Sequence, residues 1–204
     1  FSLVFDNTRF AGFLQPDFMT MAEQLKLGEK LVLESIERYG EAAFRGTVRY
    51  CCDASAETMA DAIARIPDGV YHCEESIDAD GVGDDEPIIV RAAINKRGSR
   101  VEVDLSGSSR QARTCINAGP LDVKTAVAAC FKLLLDRDTP FSSGAYRPID
   151  IVVPPGTVAY ALPPAGAIMI YWEVTTALLN AMLRELGEVL GAQAFGGDYG
   201  VVCV

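Results

Sequence analysis

The chain has 204 residues and a formal net charge of −10, and half of its residues are apolar. This composition is that of a folded globular protein and excludes a wholly disordered chain. Lys and Arg occur singly or in isolated pairs, so nucleic acid and anionic membranes are not expected as partners. No apolar run approaches the roughly 20 residues that a membrane-spanning helix needs. We expect no signal peptide, because the N-terminus lacks a basic flank followed by an apolar core.

Apolar residues recur at helical spacing in four segments, which predicts helices over about 20–39, 55–65, 122–135 and 173–190. Thr20 and Glu23 form a capping-box pattern at the start of the first helix. Alternating apolar and polar residues predict a strand over 70–74, an antiparallel hairpin over 87–105, a strand over 148–153 and a further short strand over 157–161. This order is typical of an α+β fold, in which an antiparallel hairpin or sheet packs against helices.

The polar stretch 106–120 follows the hairpin and is longer than a simple turn requires. Ser106-Gly107-Ser108-Ser109 could turn several backbone amides toward one point, where an anion or a carboxylate could bind, and Arg110 could add charge. A long surface loop is the alternative explanation. Asn117 precedes Gly119-Pro120 and a helix start, so it fits either loop geometry or ligand contact.

Other motifs predict less chemistry. The only histidine, His72, lies in a short strand beside Cys73, and neighbouring strand residues face opposite ways, so we expect neither a catalytic nor a zinc-binding role. The acidic run 78–86 fails the calcium-loop pattern at its fifth and twelfth positions and is predicted to be a solvated loop. Glycine motifs for nucleotides are absent, so any ATP is expected to bind elsewhere.

The cysteines lie at positions 51, 52, 73, 115, 130 and 203, without a Cys-x-x-Cys pair. We therefore expect reduced thiols in a cytoplasmic protein. The chain begins at Phe1 without Met, and its first residues resemble the middle of a domain. This beginning predicts a piece of a longer polypeptide.

Several motifs occur in one order along the chain: "GEKLVLESIERYG" (28–40), "IARIPDGVYHCEESIDADG" (63–81), "DLSGSSRQ" (104–111), "INAG" (116–119), "TAVAACFKLLLD" (125–136), "SGAYRPIDIVVPPGT" (143–157) and "LPPAGAI" (162–168). Together they resemble the B-subunit family of hydantoinases and 5-oxoprolinases, over roughly residues 15 to 195. The resemblance implies that residues 1–204 are the central segment of a larger, multidomain B-type subunit, with a sub-boundary near residue 120.

The family resemblance also implies a chemistry. Such proteins act with an A-type subunit that binds ATP and Mg²⁺, and phosphorylation of an amide oxygen makes a ring carbonyl electrophilic enough for water to attack. The function implied is ATP-dependent ring opening of a cyclic amide, as in N-methylhydantoinases and 5-oxoprolinases. A divalent metal is expected in the family's N-terminal part, which has no counterpart here, so the segment alone is expected to be inactive. The expected partners are the A-type subunit and a small-molecule substrate.

Six residues are predicted to face the substrate or the missing half. Asp104 could orient a loop amide or accept a proton, and Arg147 could pair with a carboxylate through two hydrogen bonds. The predicted substrate-binding residues are Ser106, Ser108, Gln111 and Asn117. Loop stabilisation, or an internal ion pair for Arg147, is the structural alternative.

Two other functions remain open. One is a subunit of an ATP-dependent carboxylase of the acetone or acetophenone type, which the resemblance also covers. It is favoured by Tyr171-Trp172-Glu173, where hydantoinase-like members carry a small or polar run containing Arg, because an aromatic wall suits a ketone or aryl group. Leu105 likewise replaces the usual aromatic of the "D-F-S/T-G" motif. The other is a scaffold segment that only contacts a partner subunit, consistent with a mean hydropathy of +0.17.

Overall fold

The first fifty residues form a helical unit, Phe1–Tyr50, in a computed structural model that describes residues 1–82, 86–166 and 172–191 of the chain. Helix α1 (Ser2–Phe5) precedes the long helix α2 (Ala11–Tyr39), and helix α3 (Glu41–Ala64) begins after Gly40. Phe5 of α1 is buried and packs edge-to-face on Phe18 of α2, with ring centroids 5.7 Å apart.

The predicted capping box in α2 is wrong. The helix starts at Ala11 rather than Thr20, and the Thr20 hydroxyl donates to the Pro16 carbonyl at 2.9 Å within the helix. A Ser or Thr inside a helix often bonds in this way to the carbonyl four residues earlier, so the pattern alone does not mark a helix start.

Helix α3 was predicted over only 55–65, because only its last turns carry core residues. Met59, Ala62 and Ile63 are buried, whereas the preceding part of the helix has none. Apolar periodicity is typical of a helix with one buried face, and the first part of α3 has no such face.

The second unit, from Cys51 onward, contains a four-stranded sheet in the order β1-β2-β3-β4. Its strands are β1 (Gly69–Ile77), β2 (Ile88–Arg97), β3 (Arg100–Asp104) and β4 (Ile149–Val152). β1 pairs with β2 and β2 with β3 in antiparallel fashion, while β3 and β4 are parallel. The predicted α+β class and the hairpin are confirmed, and α4 (Pro120–Leu135) forms the crossover that the parallel pair needs.

The turn between β2 and β3 is stabilised by Asp68, a residue outside the hairpin. Arg97 pairs with Arg100 across a two-residue turn in which Gly98 has φ +57°, a left-handed conformation that suits glycine. The Asp68 carboxylate accepts from the Gly98 amide at 2.9 Å and from the buried Lys96 ammonium at 2.8 Å. The hydrogen bond from Lys96, followed by that from Gly98, lowers the pKa of Asp68.

The core lies between the sheet and helices α4 and α5 (Trp172–Leu190). Both helical stripes predicted from the sequence face it: Val123, Val127, Cys130 and Leu134 of α4, and Val174, Leu178, Met182 and Leu186 of α5 are buried. The other face of the sheet is polar, because alternate strand residues point away from the helices. The predicted sub-boundary near residue 120 falls at the start of α4, inside this unit.

A buried ion pair closes the C-terminal end of α4. The Lys132 ammonium donates to Asp136 Oδ2 at 2.6 Å, and to the carbonyl and hydroxyl oxygens of Thr139 at 2.7 and 2.8 Å. Burial raises the pKa of Asp136, but hydrogen bonds from Lys132 and Thr139 outweigh it, so the pKa of Asp136 is lowered overall. The pair is satisfied within the chain and holds the turn that leads to residue 142.

Gly144 provides a close backbone approach in the 3-10 turn Ser143–Tyr146. A Cβ atom at this position would lie 1.8 Å from the carbonyl oxygen of Cys52. The middle of α3 and the turn before β4 can therefore approach each other only because Gly144 has no side chain.

Candidate functional site

The serines of the polar stretch continue the hydrogen bonding of the sheet. β3 pairs with β2 only from Ala93 to Arg97, which leaves the first half of β2 without a strand on that side. At Ile89, Ser109 makes the hydrogen bonds that a neighbouring strand would otherwise make. Its amide donates to the Ile89 carbonyl at 2.8 Å, and its hydroxyl accepts from the Ile89 amide at 2.9 Å. The Ser108 hydroxyl does the same at Arg91, accepting from the amide at 3.0 Å and donating to the carbonyl at 2.9 Å.

These bonds explain why small polar residues are concentrated after β3. Ser108 is buried, and its hydroxyl is occupied by the backbone of β2. The predicted cluster of free amides does not form, because the amides of Ser106, Ser108 and Ser109 donate to Asp104, Leu105 and Ile89 of the same chain.

Asp104 ends β3 and shapes the first bend of the loop. Its Oδ1 atom accepts from the Ser106 amide at 2.8 Å, and the Asp104 side chain is half-buried while Ser106 is exposed. The predicted role of Asp104 in orienting a loop amide corresponds to this bond. Whether its carboxylate also acts on a substrate stays a prediction.

Gln111 attaches the polar loop to the segment that follows β4. Its amide group pairs with the backbone of Leu162 in both directions: Nε2 donates to the carbonyl at 3.2 Å, and Oε1 accepts from the amide at 2.8 Å. The Gln111 backbone amide donates to the Gly156 carbonyl at 2.9 Å. The short strand predicted over 157–161 is reduced to isolated bridges, of which one joins Thr157 to Arg110.

Asn117 is fully buried, and its amide is saturated by the chain's own backbone. Oδ1 accepts from the Ala112 amide at 2.7 Å, while Nδ2 donates to the carbonyls of Ala112, Thr114 and Gly166 at 3.0, 2.9 and 2.9 Å. Between them these bonds close the loop 112–117 and join it to residue 166. The geometry is that of a loop clamp, and direct substrate contact by Asn117 stays an untested prediction.

Arg147 lies apart from the other five residues. It precedes β4 and donates from Nη1 to Asp53 Oδ1 at 2.5 Å, in an ion pair whose members are both more than half exposed. Asp104, by contrast, is paired with Val152 at the far end of β4. β4 runs from Ile149 to Val152, which is roughly 10 Å at about 3.3 Å per residue, so the two predicted catalytic residues lie near opposite ends of this strand.

A polar cleft of about 360 Å³ opens beside the loop. Its lining includes Gln111 of the predicted set, together with Arg110, Arg113, Asp80 and Glu86. From the sequence, Arg110 was predicted only to add charge to an amide cluster. Its place in a cleft depends on Asp80 and residues 86–88, which lie far from it in the sequence.

Among the described residues, no group of three or more His, Cys, Asp or Glu side chains could hold a metal ion. His72 is exposed and Cys73 is buried, on opposite faces of β1, as the strand periodicity predicted. Burial, followed by the charge of Glu185, raises the pKa of the Cys73 thiol to about 12. No helix in the described part of the chain is both long and apolar enough to cross a membrane.

The family model for hydantoinase B/oxoprolinase matches residues 1–204, and the chain therefore belongs to that family. A Pseudomonas sp. (strain NS671) protein, described as the B subunit of a D-/L-hydantoinase, is 28% identical over 202 residues, which are 94% of this chain and 34% of that protein. The beta subunit of the Pseudomonas jessenii caprolactamase is 24% identical over 80% of this chain and 28% of its own length.

Two solved structures share the fold. The ATP-dependent caprolactamase from Pseudomonas jessenii superposes with a TM-score of 0.83 at 21% identity, over 94% of this chain and 33% of that one. A nucleotide-free acetone carboxylase gives a TM-score of 0.70 at 17% identity, over 79% of this chain and 23% of that one. The chain thus spans about a third of the length of the relatives that it matches, which agrees with the predicted segment of a larger protein.

Proposed function

We propose that the chain is a segment of an enzyme that opens a cyclic amide at the expense of ATP, together with an A-type subunit that binds ATP and Mg²⁺. The observation that carries this proposal is the match of the hydantoinase B/oxoprolinase family over all 204 residues. The names of the relatives support it, since they are the B subunit of a hydantoinase and the beta subunit of a caprolactamase.

The proposed reaction follows from the low reactivity of an amide. The partner transfers the γ-phosphoryl group of ATP to the amide oxygen, which turns that oxygen into a leaving group. Water then adds to the carbonyl carbon, the C–N bond of the tetrahedral intermediate breaks and the ring nitrogen leaves as a protonated amine. A second water molecule hydrolyses the acyl phosphate that remains to a carboxylate and inorganic phosphate. A phosphorylated intermediate must be kept from bulk water until the correct attack occurs, which a site assembled from two subunits can do.

This segment's proposed contribution is a rigid wall of that site. The polar loop is fixed to β2 by Ser108 and Ser109, and to the segment after β4 by Gln111 and Asn117. A wall held from both sides positions substrate groups without reorganisation during the reaction. Asp104, at the root of the loop, is the candidate proton acceptor.

The test is co-expression of the full-length subunit with its A-type partner, followed by measurement of ADP and ring-opened product. We expect the two products in equal amounts with a lactam or a hydantoin as substrate. Bicarbonate-dependent ATP hydrolysis with a ketone and no ring opening would instead select the carboxylase function. This alternative is kept because the fold is similar to that of an acetone carboxylase.

Asp104→Asn tests the role of the carboxylate in the same assay. The asparagine keeps an oxygen for the Ser106 amide but loses the negative charge, so the loop is expected to persist while turnover falls at least tenfold. Asp150→Asn is the matched control, because Asp150 is an exposed strand carboxylate paired with Arg100. Unchanged turnover in Asp104→Asn, or an equal loss in both variants, would remove Asp104 from the proposed site. Stable assembly with tolerance of every such substitution would instead favour a scaffold.

A further inference from the structure

Helix α2 has a long apolar side that the described part of the chain leaves uncovered. None of its 29 residues is buried, and at about 1.5 Å per residue the helix is about 43 Å long. Helix α1 packs near one end, where Phe5 contacts Phe18 and leaves it 38% exposed. Leu25, in the middle of the helix, is 75% exposed. An exposed apolar surface of this length and shape fits another helix.

The residues along this side follow the heptad repeat of a coiled coil, abcdefg, with spacings that alternate between four and three residues. Together they form what we call the α2 seam. Its a positions are Phe18, Leu25, Val32 and Tyr39, and its d positions are Leu14, Met21, Gly28 and Ser35. The f position, on the opposite side of the helix, includes the charged residues Glu23, Lys30 and Glu37. This pattern indicates one side for a partner helix and the other for solvent.

The sizes of the seam residues favour a second, antiparallel copy of α2 as that partner. In an antiparallel pair, the a positions of one helix lie opposite the d positions of the other. The register that aligns the whole seam pairs Phe18 with Ser35, Leu25 with Gly28, Val32 with Met21 and Tyr39 with Leu14. A parallel pair would place Gly28 on Gly28 and Phe18 on Phe18, which leaves a void in one layer and crowds another. The antiparallel register evens the volumes of the layers.

Gly28 supports a close approach of a second helix. It lies in the interior of α2, where glycine weakens a helix relative to alanine. A Cβ atom at Gly28 would have no other atom within 4 Å, so the described chain by itself does not require glycine there. Leu25 of a second copy would occupy this space. Ser35 also suits a covered seam, because its hydroxyl already donates to the Leu31 carbonyl at 2.8 Å.

The charges beside the seam are complementary in the same register. Asp17 and Arg38 each precede an a residue by one position, which is the g position of the heptad. The g positions of two antiparallel helices lie opposite each other, so Asp17 of one copy meets Arg38 of the other at both ends of the pair. Within one copy the two residues lie roughly 30 Å apart along the helix and cannot form this pair.

We propose that α2 is a dimerisation helix, which pairs with α2 of a second copy of the same subunit in antiparallel orientation. A two-fold axis near Lys26 and Leu27 relates the two copies, so every contact of the seam occurs twice. This inference goes beyond the proposed function and depends on neither the substrate nor ATP.

Sedimentation equilibrium of the purified full-length subunit, without its A-type partner, measures the self-association, and we expect a dimer. Leu25→Glu is expected to weaken this dimer at least about 100-fold, because it places two carboxylates in the centre of the seam. Leu25 is exposed in the chain itself, so circular dichroism should show unchanged helix content in the variant. Gly28→Leu should also weaken the dimer, although leucine favours the helix itself.

A charge exchange tests the partner and the register together. Asp17→Arg and Arg38→Asp are each expected to weaken the dimer about 5- to 30-fold, because two exposed ion pairs become contacts between like charges. The double variant should return to within about threefold of the wild type, since each arginine again meets an aspartate. Glu37→Arg is the matched control: it makes the same change of charge on the outer side of α2 and should have no effect.

A subunit that stays monomeric at every measurable concentration would overturn the proposal. So would a dimer that Leu25→Glu leaves intact, and loss of the A-type partner in that variant would show that α2 faces this partner instead. A double charge variant that binds no more tightly than the single variants would refute the antiparallel register. Loss of folding in Leu25→Glu, with no effect of the charge variants, would show that the rest of the same subunit covers α2 and would refute the dimer.

Discussion

Replacing Asn117 with Ala should test whether this buried amide is a structural clamp. The change removes four hydrogen bonds to backbone groups, at 2.7 to 3.0 Å, from a side chain with no solvent exposure. A net value of about 0.5–1.5 kcal/mol for each bond gives a loss of about 2–6 kcal/mol if none is replaced. Even the lower limit of about 2 kcal/mol corresponds to a decrease in Tm of about 4–8 °C for a domain of this size.

Urea unfolding followed by circular dichroism measures this loss in the free energy of unfolding. Asn117→Asp keeps the shape and one acceptor but places a carboxylate among three carbonyls, so it should be at least as unstable as Asn117→Ala. Asn95→Ala is the control, because that half-buried amide makes a single 3.4 Å bond to Glu102 and should cost less than about 1 kcal/mol. A loss below about 1 kcal/mol in Asn117→Ala, together with loss of ligand binding, would refute the clamp and indicate direct contact.

Three further predictions concern stability and thiol reactivity. Gly144→Ala should lower the free energy of unfolding by about 2 kcal/mol or more in urea unfolding, since its Cβ meets a backbone carbonyl; an unchanged midpoint would contradict this close approach. Burial raises the pKa of Asp136, but hydrogen bonds from Lys132 and Thr139 outweigh it and lower the pKa overall. The ionised carboxylate therefore stabilises the fold at a pH above the pKa of Asp136 in the unfolded chain. This stabilisation is lost as the pH falls through the pKa of Asp136 in the folded protein. Asp136→Asn should therefore cost about 3 kcal/mol at pH 7 and less at pH 3, and an equal cost at both would argue against the ion pair. After brief iodoacetamide treatment at pH 8, mass spectrometry should find the exposed Cys51 and Cys115 alkylated. Cys73 should stay unmodified, because burial raises the pKa of its thiol to about 12. Early modification of Cys73 would contradict its burial.

Much of the fold could be predicted from the chain itself where one face of an element is buried. The stripes of α4 and α5 and the alternation of β2 were predicted correctly, because burial imposes periods of 3.6 and 2 on the sequence. The same method failed for the first half of α3, where no residue is buried. In α2 it predicted a helix over 20–39 although no residue of α2 is buried, and it missed the turns from Ala11 to Met19. The last strand was predicted, but its parallel pairing with β3 was not, since pairing partners depend on the crossover.

For the candidate site, less could be predicted from the sequence than for the fold. Residue types marked the polar loop as unusual, and the order of motifs placed the chain in its family. They did not reveal that Ser108 completes the hydrogen bonding of β2, or that Arg147 lies at the far end of β4 from Asp104.

The amino-acid sequence determined by itself which segments become helices and strands around the core, because apolar spacing is a local property of the chain. Tertiary structure alone decided which polar side chains are consumed by backbone groups and which, like Arg110, remain available beside a cleft. That difference arises from contacts between residues 20 to 51 positions apart, and local sequence does not encode the distance between them.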